Sequence, residues 1–337
     1  HQHASRIFRL PPIKSNPRTT KTADNSISTV STQAGEQGGV RAEKMSRRFF
    51  GQMLGMPALL ASTVTLSACG GGDDGEDPAV VADRATLTRA AFVATVSDYF
   101  DWVHSSEYHD PYKSTQQTFV DVRMGVNTYA KQIETALEEA IISNAQGYFY
   151  PEQSMTREDA ADIYVKAFKI PLTATNALAG FTDAGAITVN KRSSVNAMVA
   201  AGYMAGTSAT QFAPATPITV GEAKAILKSI TTQLVAPPQV MCKSGTTAPR
   251  RYVRISTPTP GAKIYYTFTF DGSEPADPST AAGIEYDFTQ HGVLQFVNPL
   301  TSTTDSRLYR LKAVTKKDGM KTSAVQTFIW NIVRPNV

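Results

Sequence analysis

Two segments of this chain repeat one another at a spacing of 62–63 residues, and that period constrains the fold more than any other feature. Phe119 and Phe181 stand 62 residues apart, and Phe149-Tyr150-Pro151 and Phe212-Ala213-Pro214 stand 63 apart. In each copy the proline lies five residues before a threonine, Thr156 or Thr219, that opens an amphipathic run. A third such run opens at Thr88. Ala91, Val93, Val96 and Phe100 in the first run fall near helical spacing, as do Ile163, Val165 and Phe168 in the second and Ile226, Leu227 and Ile230 in the third. Each threonine is a good N-cap. Glu222 is spaced to complete a capping box with Thr219, and Asp159 is spaced to favour the positive end of its helix. Further helices are predicted over 129–142 and 193–204, each ahead of a Phe-x-Pro loop. The unit is thus an aromatic turn, a helix, a Phe-x-Pro loop and a Thr-capped helix. Such a unit cannot bury its apolar face alone and must stack on its neighbours, so one helical repeat domain is expected over 84–234.

The motifs inside each unit sharpen this expectation. The first copy carries Phe119-Val120-Asp121-Val122, then Gly147-Tyr148-Phe149-Tyr150-Pro151, then Thr156-Arg157-Glu158-Asp159. The second carries Phe181-Thr182-Asp183-Ala184, Phe212-Ala213-Pro214 and Thr219-Val220-Gly221-Glu222. In this order the residues resemble the S-layer homology repeat: F-x-D-V, a helix, a G-x-F-x-P-like loop, then T-R-A-E. The resemblance covers 86–234. It implies a pseudo-threefold helical bundle that binds cell-wall polysaccharide. It also implies that Arg157 and Arg89, with Glu158 beside them, are glycan-binding residues, Arg157 being an exposed arginine in a groove between repeats. A planar guanidinium suits bidentate recognition of an anionic sugar substituent, and a helix N-terminus adds partial positive charge. The competing reading of the arginine is an interhelix salt bridge to Glu158 or Glu222. At the third Thr-capped helix Val220-Gly221 has lost the arginine. That argues for one or two functional grooves, or for a purely structural bundle. Phe119, Phe149, Phe181 and Phe212 read as core, and Asp121 and Asp183 as loop or helix caps.

Beyond residue 234 the period changes. Val235-Ala236-Pro237-Pro238 reads as a short stiff linker over 235–238. The segments Tyr252-Val253-Arg254-Ile255, Lys263-Ile264-Tyr265-Tyr266-Thr267-Phe268, Leu308-Tyr309-Arg310-Leu311-Lys312-Ala313-Val314 and Val325-Gln326-Thr327-Phe328-Ile329-Trp330 alternate, are rich in β-branched and aromatic residues, and are punctuated by Gly, Pro and Asp. An antiparallel β-sandwich is expected over 239–337. Gly261-Ala262-Lys263-Ile264-Tyr265-Tyr266-Thr267, Asp271-Gly272-Ser273-Glu274-Pro275 and Lys317-Asp318-Gly319 are similar to the Ig-like module that ends chitobiase and β-hexosaminidase chains. The resemblance implies a non-catalytic accessory module. The expected fold class is therefore multidomain, α plus all-β.

The N-terminal part reads as processing signal rather than fold. Ser46-Arg47-Arg48-Phe49-Phe50 matches the twin-arginine export pattern, with Arg47 and Arg48 as the export signal. A moderately apolar run follows and ends in Leu66-Ser67-Ala68-Cys69, which resembles a bacterial lipobox. The segment 45–68 is then a lipoprotein signal peptide and Cys69 the lipidated residue. Residues 69–83 form a flexible acidic tether. Residues 1–44 are expected to be an over-extended leader. Gly70, where an Asp would retain a lipoprotein in the inner membrane, points to the outer membrane. Only Cys69 and Cys242 are present, so no disulfide is expected within the mature chain.

Charge excludes one class of partner. The whole chain is +4, but from Cys69 onward 24 basic residues face 26 acidic ones, which gives no basic surface for nucleic acid. No run other than the signal approaches transmembrane length. No G-x-S-x-G, P-loop or H-E-x-x-H motif occurs, and neither domain has room for a glycosidase barrel. His104, Glu107, His109 and Asp110 cluster, but a solvated loop is the better reading than a metal site. The expectation is a non-enzymatic chain with no metal and no cofactor. Its partners would be cell-wall or envelope polysaccharide and, through the N-terminal lipid, the membrane, with self-association as a further possibility. The alternatives are a surface assembly protein that binds protein partners, and an accessory chain of a carbohydrate-active enzyme.

Overall fold

The computed structural model describes residues 82–105, 118–241, 245–247, 250–298 and 306–333. The export signal with Arg47 and Arg48, the lipidation residue Cys69, most of the tether, Cys242 and most of the 104–110 cluster lie outside the described residues.

The helical part is built from α1 (Arg89–Phe100), α2 (Trp102–Ser105), α3 (Ala130–Glu138), α4 (Arg157–Phe168), α5 (Arg192–Ala200) and α6 (Val220–Gln233). The three threonines cap as their chemistry requires. The Thr88 hydroxyl accepts from the Ala91 amide at 3.1 Å, Thr156 from Asp159 at 3.2 Å and Thr219 from Glu222 at 3.2 Å. The run opened by Thr88 breaks at Asp101, whose φ of 55° turns the chain left-handed before α2. Helix α3 is shorter than the 129–142 span expected because Ala140, at φ 56°, closes it, and the Ile141 amide turns back to the Ala136 carbonyl at 2.9 Å.

The residue before each threonine cap ties the repeats together. The Leu87 amide donates to the Ile218 carbonyl at 3.0 Å, Ile218 to Met155 at 2.8 Å, and Met155 back to Leu87 at 2.9 Å. This closed triangle is a pseudo-threefold hub, and all three of its side chains are buried. Around it, Phe92 meets Tyr164 edge-on at 5.1 Å, and the Tyr164 hydroxyl donates to the Ala223 carbonyl at 3.0 Å. One side chain thereby touches all three Thr-capped helices. Burial of this phenol raises its pKa far above the usual value. Phe119 packs on Phe149 and Phe181 on Phe212 at 5.6 and 5.9 Å; Phe119, Phe149 and Phe212 are core as expected, whereas Phe181 is only partly buried and packs against the core from its edge.

Among the described residues the C-terminal part holds eight strands: β1 (Gln239–Met241), β2 (Gly245–Thr247), β3 (Arg250–Ser256), β4 (Lys263–Thr269), β5 (Ile284–Tyr286), β6 (Leu294–Val297), β7 (Ser306–Lys316) and β8 (Gln326–Val333), with the short helix α7 (Phe288–His291) before β6. They form a three-stranded sheet, β1-β3-β6, and a five-stranded sheet, β2-β8-β7-β4-β5. Pairing is antiparallel except for β2 beside β8. Alternate residues of each sheet, among them Val253, Ile255, Tyr266, Phe296, Leu311, Trp330 and Ile332, form the sandwich core. Strands β3, β4, β7 and β8 coincide with the four expected runs, whereas the short β1, β2, β5 and β6 carry too few residues for a period to show.

The 235–238 segment is buried throughout. The Val235 amide donates to the Lys321 carbonyl at 3.0 Å, and the Lys321 amide to the Gln233 carbonyl at 2.7 Å. The Ala236 amide donates to the Thr259 hydroxyl at 2.9 Å, while its carbonyl accepts from the hydroxyls of Thr257 and Thr315. Tyr99 of α1 also bonds Thr259, and its burial pushes the phenol up to about 12. The expected stiff linker is thus a seam whose apolar side chains and backbone groups are both satisfied by the sandwich. Among the described residues no helix is long and apolar enough to cross a membrane.

Candidate functional site at the joints between repeats

Two of the joints are each built by one arginine that follows a threonine cap. Arg89 donates from Nε to the Phe149 carbonyl at 3.0 Å and lies 5.1 Å above the Phe149 ring. Its Nη1 pairs with Asp159 at 3.2 Å. Arg157 repeats this one unit later. Its Nε donates to the Phe212 carbonyl at 3.0 Å, its guanidinium lies 4.8 Å above the Phe212 ring, and its Nη1 pairs with Glu222. It also donates from Nη2 to the Ala205 carbonyl at 2.5 Å. Each arginine therefore reads the Phe-x-Pro loop of its neighbour and the acid three residues after the next threonine cap.

The third joint has lost both partners together. Val220 stands where the arginine would be, and Ala91 stands where the acid would be. There Gly221 lies against Asp83, which pairs with Lys224 at 2.7 Å. This joint loss is what a repeat-to-repeat strut predicts, since either charge alone would be a liability at a half-buried joint.

The sequence-predicted residues end up in unequal positions. Arg157 is only 3 % exposed, so it does not present its guanidinium to an open groove; burial draws its pKa down, against the favourable charge of Asp183. Of the two salt-bridge partners considered for it, Glu222 is the one in contact. Because the Glu222 carboxylate turns to Arg157, it joins two repeats rather than serving its own helix alone. Arg89 keeps 23 % of its side chain exposed. Glu158 is 8 % exposed and accepts from the Thr188 amide at 2.9 Å, the Thr188 hydroxyl at 2.6 Å and Lys191 at 2.9 Å. Burial pushes its carboxyl up, but these hydrogen bonds outweigh it and the pKa is lowered.

Asp121 and Asp183 serve as loop clamps. Asp121 accepts from the Phe149 and Tyr150 amides at 2.9 and 2.7 Å, and Asp183 from Phe212 and Ala213 at 2.9 and 2.7 Å. The two amide bonds, Phe212 first, hold the Asp183 carboxyl below its usual value.

At the first joint, Arg89, Asp159 and Lys191 keep 23, 21 and 22 % of their side chains exposed, and Lys191 bridges Asp159 at 2.6 Å. This makes a rim of mixed charge beside the buried Glu158. A cavity of 530 Å³ opens next to the second repeat, lined among others by Phe181, Val189, Arg192 and Asn196. Asn196 pins its wall by accepting from the Ala177 amide at 2.8 Å and donating to the Thr175 carbonyl at 2.7 Å. Sequence reasoning missed Thr188, Lys191 and Asn196. They sit between motifs, and no spacing marks them. Among the described residues, no three His, Cys, Asp or Glu side chains converge as metal ligands.

The comparisons agree with this architecture. Residues 118–161 and 180–223 each match the S-layer homology domain. Residues 242–327 match the chitobiase/beta-hexosaminidase C-terminal domain. No curated protein matches the chain.

Proposed function

We propose that these two S-layer homology repeats, joined to a chitobiase-type C-terminal module, make a non-catalytic lipoprotein that attaches to envelope polysaccharide or peptidoglycan. The repeats imply association with the cell envelope or surface. In the finer reading, Arg47 and Arg48 address the chain to the twin-arginine route, Cys69 carries the lipid, and the acidic tether lets the bundle reach the wall from the outer membrane. The observation that carries the attachment reading is the first joint, where Arg89, Asp159 and Lys191 form a part-exposed polar rim on a rigid helix-capped frame. Partly desolvated charges of both signs suit a sugar that bears hydroxyls and an acidic substituent. Arg157 then acts by holding the frame. Arg89 and Lys191 are the contact residues.

Sedimentation with purified cell-wall sacculi tests this. The protein should co-sediment, Arg89→Ala and Lys191→Ala should each weaken binding by about three- to tenfold, and salt should reduce the binding. Absence of co-sedimentation at low salt rejects the reading. Release of the Cys69→Ala protein into the soluble fraction supports the lipid anchor, and its retention in membranes would refute it. The internal pairing of Arg157 favours a second reading, in which the bundle mediates assembly with protein partners. Self-association in analytical ultracentrifugation without sacculus binding would establish that reading instead.

A further inference from the structure

The Phe-x-Pro loops of the two repeats have the same backbone and different surfaces. In both, the motif phenylalanine is buried, at 2 % for Phe149 and 0 % for Phe212. In both, an aspartate clamps the same two amides at 2.9 and 2.7 Å. In both, the next residue is left-handed, Tyr150 at φ 59° and Ala213 at φ 57°. The second repeat fills the two outward positions with Gln211 and Ala213. The first fills them with Tyr148 and Tyr150, which are 48 and 44 % exposed. Their rings stack at 5.7 Å between centroids and 20° between planes. Val120, 55 % exposed, lies beside Gly147 and extends the apolar surface. Among the described residues no group takes either phenol hydroxyl in a hydrogen bond.

The second repeat shows that the loop folds without these rings, so the fold does not call for them. A large exposed aromatic pair on a soluble surface asks for another explanation. We infer that Tyr148 and Tyr150 form a stacking platform for the apolar face of a sugar ring in a glycan chain, with the phenol hydroxyls placed to bond ring substituents. The Asp121 clamp and the buried Phe149 hold the loop from beneath, so the rings are ordered before binding and lose little entropy on contact. Aromatic surfaces of this kind combine an apolar face with a polar rim. The platform lies on the same loop whose Phe149 carbonyl and ring Arg89 holds, so it would add an uncharged subsite to the first joint. This inference rests on the polysaccharide attachment proposed above and names the chemistry of one part of it.

The decisive variant is Tyr148→Gln with Tyr150→Ala, which installs the pair native to the second repeat on an equivalent backbone. Circular dichroism and the melting temperature should stay close to those of the parent protein. Sedimentation with purified sacculi should weaken by at least about tenfold, and the loss should be the same at low and at high salt, because stacking is not an ionic contact. The reciprocal change, Gln211→Tyr with Ala213→Tyr, should strengthen binding. Equal binding of the parent and the Tyr148→Gln/Tyr150→Ala protein overturns the platform and leaves attachment standing. A loss that disappears at high salt also overturns it, since the rings would then act only through neighbouring charges. If the parent protein does not sediment with sacculi at all, attachment and platform fall together.

Discussion

Arg157 shows how much a residue's role depends on the last few ångströms around it. Its resemblance to the arginine of the T-R-A-E motif implied an exposed groove residue, and a salt bridge to Glu158 or Glu222 was the competing reading. The structure gives it two carbonyls, a ring face and Glu222, all from the next repeat. Arg157→Ala should therefore lower stability by about 2–3 kcal/mol, below the ~3–5 of a fully buried pair because Glu222 stays 28 % exposed. Chemical denaturation measures this, and an unchanged midpoint would refute the strut. Arg157→Lys should rescue poorly, since an ammonium cannot donate in three directions in one plane. Arg89→Ala should cost about 1 kcal/mol or less, in keeping with its greater exposure. Asp183 carries a pH prediction. Its folded pKa is depressed, so its contribution is complete above the usual carboxylate value of about 4 and is lost as pH falls through the lower folded value. Helical ellipticity should therefore decline on acidification below about pH 4, and Asp183→Asn should flatten that limb.

Among elements, the Thr-capped helices were the most readable and the connecting segments the least. A threonine cap followed by apolar residues at helical spacing is a local signal, and it sufficed to place the starts of α1, α4 and α6. Thr156→Ala should cost about 1 kcal/mol through the lost cap, with some further loss because its hydroxyl also donates to Asp159 at 2.9 Å. Thermal melts would register the difference, and a neutral result would mean the helix start is held by the hub alone. The 205–211 loop is held by packing that no motif reveals. A Cβ at Gly206 would fall 2.5 Å from the Gln211 carbonyl and against the Phe181 ring. Gly206→Ala should displace the loop that supplies the Ala205 carbonyl to Arg157, so it should be destabilising, and less so in an Arg157→Ala background. That non-additivity is measurable in a double-mutant cycle.

At the scale of the whole molecule, the seam between bundle and sandwich governs cooperativity. Read as a linker, 235–238 would let two parts melt separately. With Val235 and Ala236 fully buried and their backbone groups bonded into the sandwich, a single thermal transition is expected. Thr315→Val, which removes one of two hydroxyls on the Ala236 carbonyl, should weaken the coupling by about 1 kcal/mol and begin to separate the transitions in calorimetry. Two resolved transitions in the parent protein would refute the coupled seam. The sequence by itself determined the repeat period, the threonine caps, the paired motif phenylalanines and the change to a two-residue period after residue 234. These depend on short-range spacing and on which faces must be buried. Only the tertiary structure decided that the residues before the caps close into a hub, that Arg157 is a strut between repeats, that Thr188 and Lys191 hold Glu158, and that the apparent linker is core. Those outcomes depend on which distant groups satisfy one another's charge and hydrogen bonds, and partners 55 to 79 residues apart, as for Arg157 with Phe212 and Thr315 with Ala236, leave no mark in local spacing.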